Sequence, residues 1–156
     1  MKLLVPVDGS PASVHAFQKS VEIADKYGFT IKLITVVEQS EISSHKRNEK
    51  FWHQVDGSII SGKAGSEVSL EVESFRLLDH ITDGLDCTGI TVEKEAVTGE
   101  PYEQILELAQ KEGFDLIVMG NRGNSKTKRS FLGSVAQKVL SESKCPVLVI
   151  HTDPEE

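Results

Sequence analysis

Four short apolar runs stand well apart along the chain: "KLLVPV" at 2–7, "TIKLITVV" at 30–37, "DLIVM" at 115–119 and "CPVLVI" at 145–150. A fifth, "GITVEKEAV" at 89–97, alternates in part. Runs of this length between turn residues read as strands. The stretches between them carry helical spacing, so strands and helices alternate. Such alternation implies a mostly parallel sheet with helices on both faces, joined by right-handed crossovers. In "DLIVM" the four residues after Asp115 are all apolar, which fits a strand buried on both faces.

The helix signals are local and specific. Ser10 can accept from the first unpaired N–H groups, Pro11 suits the first helical position, and Gly28 can stop the helix in a left-handed conformation. Val14, Phe17, Val21 and Ala24 form the apolar face of this helix. A second helix is expected from about Ser66 to Asp83, with Val68, Val72, Phe75 and Leu78 or Asp79 along its stripe. A third has Pro101 in its first turn and Gly113 at its end, with Ile105, Leu106, Leu108 and Ala109 inward. A fourth starts near Ser134, with Val135, Val139 and Leu140 inward. From Glu38 to about Lys63 no period is sustained; this polar segment, which holds Trp52, reads either as a surface insertion or as a lid. The expectation is one α/β domain over 1–156 with an insertion at about 38–63: five strands and four helices.

Composition excludes several function classes. The 156 residues are 38% apolar with a net charge of −7. An acidic chain is a poor general binder of nucleic acid, so any anion site must be local. No run approaches the roughly 18 apolar residues that span a bilayer. The opening segment is too short for a secretory leader and is interrupted by Asp8. A cytoplasmic protein without membrane attachment is expected. Cys87 and Cys145 read as reduced structural thiols, and the five histidines form no zinc pattern.

Ligands of open parallel sheets bind beyond the carboxyl ends of the strands, where strand order reverses. The loop after 115–119 is unusual: "GNRGNSKTKRSFLGSVA" places Gly120, Gly123 and Gly133 among Lys126, Lys128, Arg129 and the hydroxyls of Ser125, Thr127 and Ser130. Gly120 could let a flat ligand lie against the strand end, and Gly123 could permit a turn that exposes N–H groups. Ser134 then opens a helix whose first amides favour negative charge. Either this is a phosphate cradle or an ordinary glycine turn. It is neither a Walker A loop nor a GxGxxG fingerprint. Asp8, after the first strand, either receives ribose hydroxyls or ends the strand and caps the helix.

Gly120-Asn121-Arg122-Gly123, nine residues, then Gly133-Ser134 follow G-x2-G-x9-G-[ST] without a gap. With "LLVPVDGS", "LITVVE" and the closing "CPVLVI", the chain resembles the universal stress protein family (UspA-like), in its ATP-binding subgroup, over essentially its full length. Residues 38–63 are the least typical part. The resemblance implies a Rossmann-like, HUP-type sheet of order 3-2-1-4-5, and ATP as ligand with Mg²⁺. By position, Asp8 would contact the ribose, and the backbone of Val36 the adenine. Pro6 and Val7 would wall the base, with Met119 counted among the binding residues. Gly120 would lie by the sugar, while Gly123, Gly133, Ser134 and the amide of Val135 would hold the phosphates. Arg122 fills a variable position of the signature and has a supporting part. Members of the family often dimerise through the last strand, which points to Pro146, Val147, Leu148, Val149 and Ile150 as a homodimer edge.

Three functional readings follow. The first is an ATP-binding stress-response or signalling module. The second is a slow ATPase or an adenylate-forming relative, which lacks an identifiable water-positioning base and any SGGxDS-type or HIGH-type motif. The third is a dimeric regulatory protein whose nucleotide site is vestigial. The first is favoured because the signature is intact.

Overall fold

The computed structural model describes residues 1–38, 62–123 and 132–152, without the side chains of 62–69 and 71. Its elements run β1 (Lys2–Pro6), α1 (Pro11–Tyr27), β2 (Thr30–Val37), α2 (Gly62–Asp83), β3 (Val92–Thr98), α3 (Pro101–Glu112), β4 (Leu116–Gly120), α4 (Ser134–Glu142) and β5 (Val147–Ile150). The five strands form one parallel sheet of order β3-β2-β1-β4-β5. This is the expected class and the expected order.

Alternation along each strand divides the core. Leu3, Val5 and Val7 of the first strand region, with Ile31, Leu33 and Val118, face Phe17, Val21 and Ala24 of α1 and Leu78 and Ile81 of α2. Leu4, Ile34, Ile117 and Met119 face the other way, onto Ile105 and Ala109 of α3 and Ala136 and Val139 of α4. Two helices therefore cover each face. The caps are those read from the sequence: Ser10 Oγ accepts from Ser13 N at 3.3 Å, and Gly28 (φ 73°) and Gly113 (φ 68°) end α1 and α3 in the left-handed region.

Several expectations need correction. β3 begins at Val92 rather than at 89, because Gly89 adopts φ 81° and Ile90 N donates to Cys87 O at 3.0 Å, closing a turn there. β5 begins at Val147 because Ser143 and Cys145 are tied in a turn, with Cys145 N donating to Ser143 Oγ at 3.1 Å. On α2, Val72 and Phe75 are exposed, whereas Ser74, Leu78 and Ile81 are buried. Apolar residues occur all round this helix, so spacing does not single out the buried face. On α4, Leu140 is exposed and Ala136 takes the inward place. The segment at 39–61, with Trp52, lies outside the described residues.

One charge sits inside a sheet face. Lys32, 13% exposed in its side chain, forms ion pairs of 2.8 Å with Glu95 of β3 and 2.9 Å with Glu112 of α3. Burial alone would lower the ammonium pKa, but the two carboxylates outweigh it and hold the group above its ordinary value of 10.5. Lys32→Met should leave two carboxylates facing each other and destabilise the fold by about 2 kcal/mol, between the values for exposed and for fully buried pairs because the carboxylates are partly solvated. A raised lysine pKa gives stability that is full below the unfolded value and is lost as pH rises through the folded one. In urea denaturation, the gap between wild type and Lys32→Met should therefore narrow as pH passes 10.5.

Candidate functional site

β1 and β4 are neighbours at the centre of the sheet, but the chain leaves them toward opposite faces, into α1 and α4. A cleft opens where they part, as the topology requires. Its volume is about 880 Å³, and it is lined by Pro6, Val7, Asp8, Val36, Met119, Gly120, Arg122, Gly123, Gly133, Ser134 and Val135 among others. All eleven residues singled out from the sequence are thus brought to one cavity. Ser125, Lys126, Thr127, Lys128, Arg129 and Ser130 of the same loop lie outside the described residues.

Asp8 stands where β1 ends. Its Oδ1 accepts from Ser10 N at 2.9 Å and its own N–H donates to Ser13 Oγ at 3.3 Å, which orders the turn into α1. Its Oδ2 faces Gly123 so closely that a Cβ on residue 123 would strike it. One carboxylate oxygen serves the turn, and the other looks across the cleft.

None of the three signature glycines has a positive φ. Each is glycine because something comes close. At Gly120 a Cβ would meet the backbone of Ala12, at 2.7 Å from its carbonyl carbon. This corrects the view of Gly120 as a bed for a flat ligand: the direction of its missing side chain is filled by the first turn of α1. Gly123 has no positive φ, and the direction of its missing side chain yields room to the Asp8 carboxylate. At Gly133 a Cβ would lie 3.3 Å from Arg122 Cα, so the two ends of the loop touch.

The helix after the loop differs from the one after β1. Gly133 is the N-cap of α4 and contributes no side-chain hydrogen bond. Its N–H is taken by Asn121 O at 2.7 Å, and its carbonyl accepts the first helical bond, from Gln137 N, at 3.0 Å. The amides of Ser134, Val135 and Ala136 precede that first bond, so the helical ladder leaves them to the cleft end. Beside them stands Arg122, whose Nε is shielded from solvent and meets no hydrogen-bond acceptor among the described residues.

β2 supplies a backbone edge. Ile31 N donates to Thr91 O and Val37 O accepts from Gly99 N, so odd-numbered residues of β2 bond toward β3. Even-numbered residues bond toward β1: Thr30 N donates to Met1 O, and Ile34 O accepts from Val7 N at 2.8 Å. Val36 lies two residues beyond this last bond to β1, so its N–H and C=O turn toward the cleft side of the strand.

The sequence reading missed other lining residues: Ser13, Thr35, Val37, Glu38, Pro101, Ile105, Ala136 and, from α2, Leu70, Glu73, Ser74 and Leu77. Ile105 and Ala136 occupy core positions whose pattern does not distinguish cleft from core. The α2 wall follows from the rotation of that helix, which spacing left unresolved. Among the described residues no three His, Cys, Asp or Glu side chains gather as a metal site, and no helix is long and apolar enough to cross a membrane.

The family model of universal stress proteins matches residues 1–151. The chain belongs to the universal stress protein family. It is 31% identical over 155 residues to universal stress protein MJ0531 of Methanocaldococcus jannaschii, covering 99% of this chain and 84% of that one. Universal stress protein MJ0577 of the same organism is 30% identical over 168 residues, covering 96% and 93%. The solved structure of MJ0577 superposes with a TM-score of 0.75 at 28% identity, covering 97% of this chain and 96% of that one. A universal stress protein crystallised in complex with cAMP superposes with a TM-score of 0.65 at 25% identity, covering 98% of each.

The steric reasons for the glycines separate two kinds of variant of this universal stress protein. Gly120→Ala must displace α1 backbone and should cost about 2 kcal/mol of stability, as overpacking does. Among the described residues Gly123→Ala meets only the tip of an exposed Asp8 side chain, and it should stay within about 0.5 kcal/mol of wild type. Chemical denaturation of the two variants measures the difference, and equal losses would contradict the packing assigned to Gly120.

Proposed function

We propose that this universal stress protein binds an adenine nucleotide in the cleft, with ATP and Mg²⁺ as the principal ligand, and acts as a nucleotide-dependent stress-response or signalling module. The observation that carries this reading is Arg122. A guanidinium Nε–H shielded from water and without an acceptor among the described residues costs free energy that an anionic oxygen would recover. The uncapped N-terminus of α4 lies beside it and favours the same charge.

The rest of the cleft suits the rest of a nucleotide. The Val36 N–H and C=O form an adjacent donor and acceptor, complementary to the ring nitrogen and amino group on one edge of adenine. Pro6, Val7 and Met119 offer apolar walls to a flat base. Asp8, across from Gly123, is placed to accept from ribose hydroxyls. Gly123, Gly133, Ser134 and the Val135 amide would then follow the phosphates. The relative crystallised with cAMP supports an adenine ligand for this fold. Mg²⁺ would arrive bound to the phosphates and supply charge neutralisation there. Ligand occupancy stabilises whichever form it favours, and it alters signalling only through a difference in affinity between forms.

Calorimetric titration with Mg·ATP and with adenosine tests the reading. Wild type should bind ATP more tightly than adenosine. Arg122→Gln should weaken ATP by about 1.5–3 kcal/mol, roughly ten- to a hundredfold, the range for a charge-assisted hydrogen bond. Adenosine should be nearly unaffected. An Arg122→Gln protein with wild-type ATP affinity would sink the phosphate assignment.

We also propose a homodimer through β5. This strand is the sheet edge next to β4, and Leu148 upon it and Leu140 on α4 are exposed. Unpaired apolar edges favour pairing with a second copy. Leu148→Lys should shift the sedimentation coefficient from dimer to monomer while leaving circular dichroism unchanged. An unaltered dimer would move the interface elsewhere.

A further inference from the structure

We infer that Asn121 is the positioning residue of the glycine loop, and that its side-chain pairing with Thr152 determines how much affinity the phosphates add. The inference rests on the nucleotide reading above and adds a residue to which that reading gives no role. Asn121 occupies one of the two unspecified places between Gly120 and Gly123, and it is fully buried.

A buried asparagine is costly unless its amide is satisfied. Here Oδ1 accepts from Thr152 N at 3.1 Å and Nδ2 donates to Thr152 O at 3.4 Å. The side chain thus pairs with backbone as a neighbouring strand would, carrying the β4–β5 ladder past Ile150. The Asn121 backbone completes the joint: its N–H donates to Ile150 O at 3.0 Å, and its C=O accepts from Gly133 N at 2.7 Å. One residue therefore fixes the sheet end, the chain leaving β5, and the neck where the loop closes. Thr152 is itself held against α1, with its Oγ1 2.8 Å from His15 Nδ1.

The neck sets the phosphate groups. Arg122 and Gly123 follow Asn121 directly, and Gly133, bonded to Asn121 O, caps α4. Without the amide, the Thr152 backbone groups lose their partner, and the 121–133 neck keeps only its backbone bonds to Ile150 and Gly133. The spacing of the arginine and the α4 amides is then held less firmly. Binding of ligand that uses only the base and sugar end should be untouched, because Val36, Pro6 and Asp8 belong to β2, β1 and its following turn.

The test is calorimetric titration of Asn121→Ala with Mg·ATP and with adenosine, below the melting temperature of the variant. The expected result is at least a tenfold loss for ATP with adenosine within twofold of wild type. The uncharged Asn121→Ser cannot span both Thr152 backbone groups and should show the same selective loss; it also serves if the alanine variant fails to fold. Unchanged ATP affinity, or parallel losses for both ligands, would overturn the positioning role and leave Asn121 a packing residue. A wild type that binds ATP no better than adenosine would instead overturn the phosphate reading, and this inference with it.

Discussion

α1 can rest on the centre of the sheet only because β4 ends in a residue without a side chain. Ala12 backbone atoms lie 2.7–2.8 Å from where a Gly120 Cβ would stand, so the first turn of the helix and the strand end interlock. That contact brings the turn after β1, with Asp8, against the loop after β4, with Gly123. The cleft exists because these two departures are held together at their bases and then diverge. Were α1 lifted to admit a methyl group, Asp8 Oδ2 and Gly123 would separate, and the two halves of the cavity would lose their common geometry.

Charge places a second constraint on the cavity. The chain carries a net charge of −7, and Asp8, Glu38 and Glu73 all line the cleft with Arg122. A polyanion entering such a site needs compensation close to its own oxygens, because attraction from the whole surface is lacking. Arg122 and the start of α4 supply it at one end, and the lysines and arginine at 126–129 stand near them in sequence. On the proposed reading, a divalent cation bound by the ligand would reduce the remaining mismatch. The carboxylates are better suited to hydroxyl and amino donors, which an adenosine moiety has and a bare phosphate lacks.

Much of this was legible in the sequence, and the reasons differ by element. Strands buried on both faces announce themselves as apolar runs, and Ser10, Pro11, Gly28 and Gly113 mark helix ends through local chemistry that tertiary packing did not override. The sheet order came from resemblance, since no residue pattern encodes which strands are neighbours. The face of α2 was misread because Val72 and Phe75 are as apolar as Leu77 and Leu78, and only packing separates them. The start of β3 was misread because Ile90 and Thr91 have strand propensity but follow Gly89, whose left-handed backbone belongs to a turn. Asn121 gave no signal, because a buried amide and a surface amide are the same letter.

The spacing G-x2-G-x9-G-[ST] does not owe its three glycines to left-handed backbone. Gly120 avoids the backbone of a helix, Gly123 avoids a carboxylate, and Gly133 avoids the chain two residues after Gly120. All three keep φ values that any residue could adopt. The glycines are therefore steric vacancies at fixed points, each imposed by a different neighbour. Substituting one of them tests one contact, and the consequences should differ in kind: α1 packing at the first, the carboxylate facing the cleft at the second, closure of the neck at the third. A signature that reads as one motif is, physically, three separate close approaches that share a loop.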